Sequence, residues 1–334
     1  MASRTFDLIG VGNPIMDLLA HVPDSFLTQH VAGAKGGMVL VDDEDLARLL
    51  AKVGPQLAMM PGGAAANATL GATRLGLATT FLGKLGGDIT AETYFNNFLA
   101  AGGDGSRFKR ASLPNGRCLS LVTPDSQRTL RTHLGAAMTL HPDEISGRDF
   151  TGARHAHIEG YLLFNPALAE KVVQTARAAG CTLSIDLASF EVVNAARDWI
   201  LNQLGEGVTM VFANEDEARA LFRRDDSYEN FARELAGFGG IAAIKLGKDG
   251  AWVARGRDLH RIQAVPAARV VDTTGAGDAW AAGFLYGYLR GASLAAAGAI
   301  GSVLGAETVQ HLGAAIPDVH WPHICAAAAA LLKK

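Results

Sequence analysis

The 334-residue sequence is 49% hydrophobic and 19% charged, which is ample apolar material for a large core and far from a disordered composition. Its 30 Lys and Arg against 33 Asp and Glu leave a formal net charge of -3, so there is no general attraction for nucleic acid or anionic lipid, and small-molecule chemistry is expected. Cys118, Cys181 and Cys325 are widely spaced and form neither a CxxC pair nor a secreted disulfide pattern, and no long uncharged apolar run is present, so the reading is cytoplasmic, with no export signal and no membrane span.

Two stretches, residues 12–43 and 115–135, carry alternating, turn-punctuated patterns. In the second, RCLSLVTPDSQRTLRTHLG reads as antiparallel strands joined by the PDSQ turn. Together the two stretches predict a small sheet projecting from the main domain. From about Leu70 onward, β-prone runs alternate with helical ones. ATTFLG precedes ITAETYFNNFLAAGG, HAHIEG precedes NPALAEKVVQTARAAG, TLSIDL precedes FEVVNAARDWILNQL, and VTMVFAN precedes EDEARALF. That rhythm predicts βαβ units around a mostly parallel sheet. The end, CAAAAALLKK, reads as a closing helix with Lys333 and Lys334 favourably placed at its C-terminus. With no repeat, linker or composition shift, residues 1–334 are expected to form a single domain.

The first motif with chemistry is Pro61-Gly62-Gly63-Ala64-Ala65-Ala66-Asn67. Small residues let a ligand approach the backbone, and Asn67, about one helical turn from Gly63, offers a donor and an acceptor to hydroxyls. Small residues also serve close helix-to-sheet packing, an equally good account of Ala64 to Ala66 but a poor one of Asn67. Asn214 and Glu217 in FANEDEA follow a strand, where acids can hold Mg²⁺, although acids at a helix N-terminus have a simpler dipole explanation. Gly247 and Gly250 in IKLGKDGAW make a turn against which a nucleotide can lie. His155 and His157 fall on one face of a strand, where packing or hydrogen bonding is expected, and the ten histidines show no HExxH or paired ligand cluster.

The sharpest signal is Asp272-Thr273-Thr274-Gly275-Ala276-Gly277-Asp278, followed by the helical run AWAAGFLYGYLRG. Glycines permit a tight turn, and the start of a helix presents unpaired N–H groups and the positive end of its dipole to a phosphate. Asp278 would lie in the first helical turn, kept ionised by the dipole and able to accept a proton. Capping alone would explain a bare GxG, but two acids bracketing this loop favour function.

GGAAAN, GKLGGD, NEDE, KLGKDG and above all DTTGAGD occur in the order and approximate spacing of the ribokinase-like (PfkB) carbohydrate and nucleoside kinase family, which the chain resembles over nearly its whole length. Within it, GNPIMDLLA, AKGGMVLVDDED and VTPDSQRTLRTHLGAA look like the adenosine-kinase-like branch. The resemblance implies a layered α/β/α domain with a mostly parallel central sheet and a small β-sheet lid closing over the substrate. It implies an ATP- and Mg²⁺-dependent kinase that phosphorylates a hydroxymethyl group of a nucleoside or sugar, as a monomer or homodimer.

By that resemblance, Asp278 is the catalytic base and Gly275, Ala276 and Gly277 are the anion hole. Asp17, Gly62, Gly63 and Asn67 would grip the substrate. Asn214, Lys245, Gly247 and Gly250 would form the ATP side, and Glu217 would place Mg²⁺ through water. Asp272 and Thr274 match positions whose backbone oxygens bind a monovalent cation in ribokinase-like members; whether K⁺ is needed here stays open. Lys245 stands where many members carry Thr, so a hydroxyl contact to phosphate would be lost or replaced by an ammonium.

A dinucleotide oxidoreductase is disfavoured because Ile15 replaces the third glycine of GxGxxG in IGVGNPIMD, and a P-loop kinase because no GxxxxGK[ST] occurs. A sugar- or nucleotide-binding sensor of the same fold is the non-enzyme alternative, and the intact Asp278 argues for an enzyme.

Overall fold

The computed structural model describes residues 5–125 and 127–333. Ser126 of the expected PDSQ turn and the terminal Lys334 lie outside the described residues.

Eight strands form the main sheet in the order Asp258–Ile262, Ala251–Arg255, Ile241–Lys245, Met210–Asn214, Thr182–Asp186, Ala153–Glu159, Phe6–Val11, Thr79–Leu82. The six from Ile241–Lys245 to Thr79–Leu82 pair in parallel and the first two are antiparallel additions. Their burial is nearly continuous, as expected of a parallel sheet covered on both faces. Helices Pro166–Ala178, Phe190–Gly205, Glu215–Phe222 and Tyr228–Ala236 cover one face, and Ala64–Arg74, Ala276–Leu289, Leu294–Thr308 and Trp321–Leu331 the other. The helix starts follow local chemistry. Ser189, Asn165, Asp88 and Asn214 each accept a backbone N–H of the following first turn, relieving donors that the helix itself cannot pair.

A second, five-stranded sheet has the order Met38–Leu40, Arg128–His133, Arg117–Val122, Met16–His21, Ala58–Pro61. The expected hairpin is present, with Arg117–Val122 and Arg128–His133 antiparallel. Two details differ from the sequence reading. Met16–His21 and Met38–Leu40 pair with the hairpin in parallel, because each joins it across a long stretch of chain rather than through a tight turn. Ala58–Pro61, outside the predicted segments, adds the fifth strand.

The helix that starts within the DTTGAGD loop, Ala276–Leu289, is buried almost all round. A Cβ on Gly283 would stand 2.8 Å from the Gly301 backbone, and one on Gly71 would stand 2.8 Å from Ala282 Cβ. Small residues therefore bring this helix close to both Leu294–Thr308 and Ala64–Arg74, leaving its N-terminus little freedom to shift. Among the described residues no helix is long and apolar enough to cross a membrane.

Candidate active site

Polar residues crowd the C-terminal ends of the parallel strands, where open α/β sheets present their ligand crevices. The registers place Glu159 beside Asp186 and Asn214 beside Lys245. Above them a cavity of about 670 Å³ runs to the smaller sheet; Asp17, Gly63, Asn67, Asn214, Glu217, Lys245, Thr274, Gly275, Gly277 and Asp278 all line it.

Gly275, at φ +69, caps the Ala276–Leu289 helix in a left-handed conformation that a side chain would resist, and so turns the chain sharply into it. Ala276 N–H makes only a long 3.3 Å bond to the Thr273 carbonyl, and Gly277 N–H falls in the turn that has no intrahelical acceptor. Asp278 is the third helical residue. Asn67, in the second turn of Ala64–Arg74, donates through Nδ2 to Asp278 Oδ2 at 2.9 Å.

The dipole argument predicts a fully ionised Asp278, and burial works the other way. Desolvation, reinforced by the Asp186 charge, pushes Asp278 up to about 6 against the opposing pull of Asn67, Lys245 and Arg128. A carboxylate poised near neutrality is better matched to proton abstraction than an ordinary one.

Lys245 Nζ lies 2.8 Å from Asp186 Oδ2 and 3.2 Å from the point a Cβ on Gly277 would occupy. Burial opposes the Lys245 charge, but Asp186 and Glu217 outweigh it and hold the ammonium protonated. The Lys in place of Thr thus brings a full positive charge to the rim of the glycine turn. Asn214 and Glu217 form a capping box: the Glu217 carboxylate accepts from the Asn214 N–H at 2.8 Å and from its Nδ2 at 2.7 Å, and Asn214 Oδ1 accepts from Glu217 N–H. The Glu217 carboxyl is raised by burial and by Asp186, with Lys245 opposing.

Asp17, on Met16–His21, is pushed up to about 7 by burial, with Arg128 opposing and Asp278 and Asp272 adding to the rise. Gly62 does not line the cavity; it lies directly behind Asp17, where a Cβ would stand 2.4 Å from Oδ2. Gly247 and Gly250 both have positive φ and shape the turn after Ile241–Lys245, but they too stand outside the cavity lining. The Asp272 carboxylate is committed to the loop itself. It accepts from Thr274 N–H and Oγ1 and from Gly313 N–H, and these bonds with Arg128 hold its carboxyl low despite burial.

Five further residues line the cavity and escaped the sequence reading: Asp186, Glu159, Asn13, Arg128 and Ala188. Asp186 anchors Lys245. Glu159, 1% exposed, accepts from Asn13 Nδ2 at 2.9 Å and from Ala65 N–H at 3.2 Å, and burial pushes it up to about 7. Arg128, on the smaller sheet, reaches Asp272 Oδ1 at 3.3 Å. The strand-end position of Asp186 and Glu159 was the available signal; nothing local marks Asn13 or Arg128. Ala188, which lines the cavity at φ +64, is held there by an Ala188 N–H bond to Asp186 Oδ1, a strained backbone of the kind found at functional sites. His155 and His157 pair with Thr182 and Ser184 within the sheet.

A mostly parallel α/β sheet, a glycine turn opening a buried helix and an aspartate at its third position are the features of a phosphotransferase of the sugar and nucleoside kinase class. The chain belongs to the pfkB family of carbohydrate kinases, whose model matches residues 39–321. It is 31% identical to an adenosine kinase from Sinorhizobium meliloti, with a TM-score of 0.86 over 99% of this chain and 100% of that one. A probable sugar kinase from Rhizobium etli superposes with a TM-score of 0.88 at 31% identity, covering 98% and 99% of the two chains. An adenosine kinase of Saccharomyces cerevisiae is 26% identical over 94% of this chain and 98% of its own length. The enzyme is accordingly a phosphotransferase acting on a sugar or nucleoside hydroxyl, and the family implies ATP, typically with Mg²⁺.

Proposed function

We propose that this enzyme transfers the γ-phosphate of ATP to the hydroxymethyl group of a nucleoside, adenosine or a close relative. The observation that carries the nucleoside reading is the wall of the cavity beyond Asp17. Ile15, Leu19, Met38, Leu40, Leu130 and Leu134 line it together with Phe164, an apolar surface that suits a heterocyclic base and is more than the small C–H face of a free sugar would cover. Relatives named adenosine kinase support the same reading.

Asp17 and Asn67 would hold the ring hydroxyls, with the hydroxymethyl group directed at Asp278. Asp278 takes the hydroxyl proton as the oxygen attacks, and the Gly275–Gly277 turn with Lys245 receives charge developing on the transferred group. The Asn67 bond to Oδ2 fixes the carboxylate and leaves Oδ1 for the proton. The donor set also suits Mg²⁺: Asp186, Glu217 and Asp278 act on one another electrostatically, with Lys245 as their shared cation. When bound, the ion would neutralise phosphate charge, and Glu217 is the residue proposed to place it through water. Gly247 and Gly250 are proposed to pass the nucleotide beyond the cavity, and the smaller sheet to act as a lid that excludes water, with Arg128 as its link to the DTTGAGD loop.

The test is kcat/KM for adenosine, other ribonucleosides, their 2′-deoxy forms, ribose and fructose, in wild type and in Asp17→Asn. A site built to bond a hydroxyl rejects the analogue lacking it by roughly 10⁴ at best, so deoxynucleosides should be poor substrates of the wild type. Turnover of ribose or fructose without any nucleoside would overturn the nucleoside assignment and leave the general phosphotransferase intact.

A further inference from the structure

Away from the cavity, the fold gathers a cluster that spacing along the sequence does not announce. Glu307 sits in the last turn of Leu294–Thr308, His311 follows that helix, and His320 and His323 flank the start of Trp321–Leu331. His311 Nε2 lies 3.0 Å and His320 Nδ1 2.8 Å from Glu307 Oε1, while His323 Nε2 lies 3.3 Å from Oε2. One ligand atom each from Glu307, His311 and His320 falls within 4.8 Å of the others. The sequence carries no HExxH or paired histidine motif, and it is the fold that brings these groups together, as the eight residues between His311 and His320 turn back.

We propose that Glu307, His311 and His320 bind a divalent transition-metal ion, best matched by Zn²⁺, with His323 or water in the fourth position. Tetrahedral Zn²⁺ with bonds of about 2.0–2.2 Å sets its ligand atoms roughly 3.3–3.5 Å apart; Glu307 Oε1 is 3.0 and 2.8 Å from the two imidazole nitrogens, and all three atoms lie within 4.8 Å, so small side-chain rotations would complete the geometry. The ligand types agree, imidazole nitrogen and carboxylate oxygen being the set that suits zinc. The same distances also fit hydrogen bonds to Glu307. Neutral imidazoles can donate N–H to the carboxylate or direct a lone pair at a cation, and titration with ZnCl₂ separates the two. Glu307 and His311 side chains are only 12% and 13% exposed, so the first two ligands are held by their surroundings, while His323, 60% exposed, is free to close.

The position gives the ion a bracing role. The chain on either side of His311 supports the glycine loop before Asp278. The Val309 carbonyl accepts from Val271 and Asp272 N–H, Gly313 N–H donates to Asp272, and Ala314 packs against Gly275. A metal would clip both ends of the stretch that carries Gly313 and Ala314 and brace Val309 beside it.

The experiment uses the full-length, tag-free chain, stripped with chelator and titrated with ZnCl₂ by calorimetry in Mg²⁺-free buffer, with Tm and the visible spectrum of the Co²⁺ form as separate readouts. One Zn²⁺ per chain, a Tm rise of roughly 3–5 °C at 100-fold excess over Kd and tetrahedral Co²⁺ absorption are expected. The double variant His311→Ala/His320→Ala should bind at least about 100-fold more weakly. His320→Ala alone, at a part-exposed position that does not threaten folding, should cost about tenfold or more. Absence of stoichiometric binding by the wild type, or unchanged affinity in His320→Ala, overturns the proposal whether or not the double variant folds.

Discussion

The Lys245 ammonium is shared between Asp186, 2.8 Å away, and the space beside Gly277, where it stands 3.2 Å from the position of an absent Cβ. Asp186 therefore aims the lysine as well as balancing its charge. Lys245→Met keeps most of the side-chain volume and removes the cation. It should lower kcat by on the order of 10²–10³, the range for losing one electrostatic donor at developing charge. Lys245→Arg should not restore it fully, because the planar fork cannot occupy the same point. Steady-state kinetics at saturating ATP and acceptor decide the matter; wild-type kcat in Lys245→Met would remove the ammonium from the chemistry.

Gly277→Ala separates local geometry from folding. Gly277 has ordinary helical backbone and its nearest neighbour is the flexible tip of Lys245, so Tm should change by little and the helix gains up to about 1 kcal/mol from losing a glycine. The new methyl nevertheless occupies the place where phosphate oxygen and ammonium would meet, and kcat should fall at least about tenfold. A loss of Tm parallel to the loss of activity would point to a packing role instead.

Asp278→Asn retains an acceptor for the Asn67 amide, so the fold and ATP binding should survive while kcat falls by on the order of 10²–10⁴. In the wild type, protonation of a base whose pKa is about 6 makes kcat/KM decline as pH falls below that value. Near-wild-type turnover by Asp278→Asn at saturating substrate would refute the assignment.

Asp17, Glu159 and Asp278 all have folded-state pKa values raised above the ordinary carboxylate range, to about 7, 7 and 6. Each contributes stability that is fully present below its unfolded pKa near 4 and is lost as pH rises through the folded value. The ligand-free enzyme should thus lose Tm between about pH 4.5 and 7.5, and acceptor binding should flatten the slope by supplying hydroxyl donors to Asp17. Scanning calorimetry across that range, with and without adenosine, tests this; a ligand-free Tm that rises steadily with pH would contradict it.

Gly62→Ala should act through Asp17. Its Cβ would stand 2.4–2.6 Å from all three carboxyl atoms, so the carboxylate must move. The acceptor KM is expected to rise about tenfold or more with the ATP KM little changed, since a displaced hydrogen-bonding group costs roughly 1–3 kcal/mol. Equal changes in both would mean that the substitution disturbs the fold rather than the acceptor grip.

Alternation of strand and helix, the helix caps and the glycine turn before Asp278 were legible in the residues themselves, because each depends on chemistry within a few positions: side-chain periodicity, a cap three residues from its donor, a glycine where φ must be positive. The pairing of Asn67 with Asp278, 211 positions apart, was legible only as membership in one site, not as a bond. Tertiary structure alone decided the rest. Parallel strands bring their C-terminal ends to one edge, which places Asp186 under Lys245 and Glu159 at the start of the Ala64–Arg74 helix. The smaller sheet carries Arg128 to Asp272, and a loop folding back sets His320 beside Glu307. The same burial that assembles these groups raises Asp278 to about 6, against the direction its helix dipole implied, since desolvation depends on everything packed around a carboxylate and the dipole only on the turn that holds it.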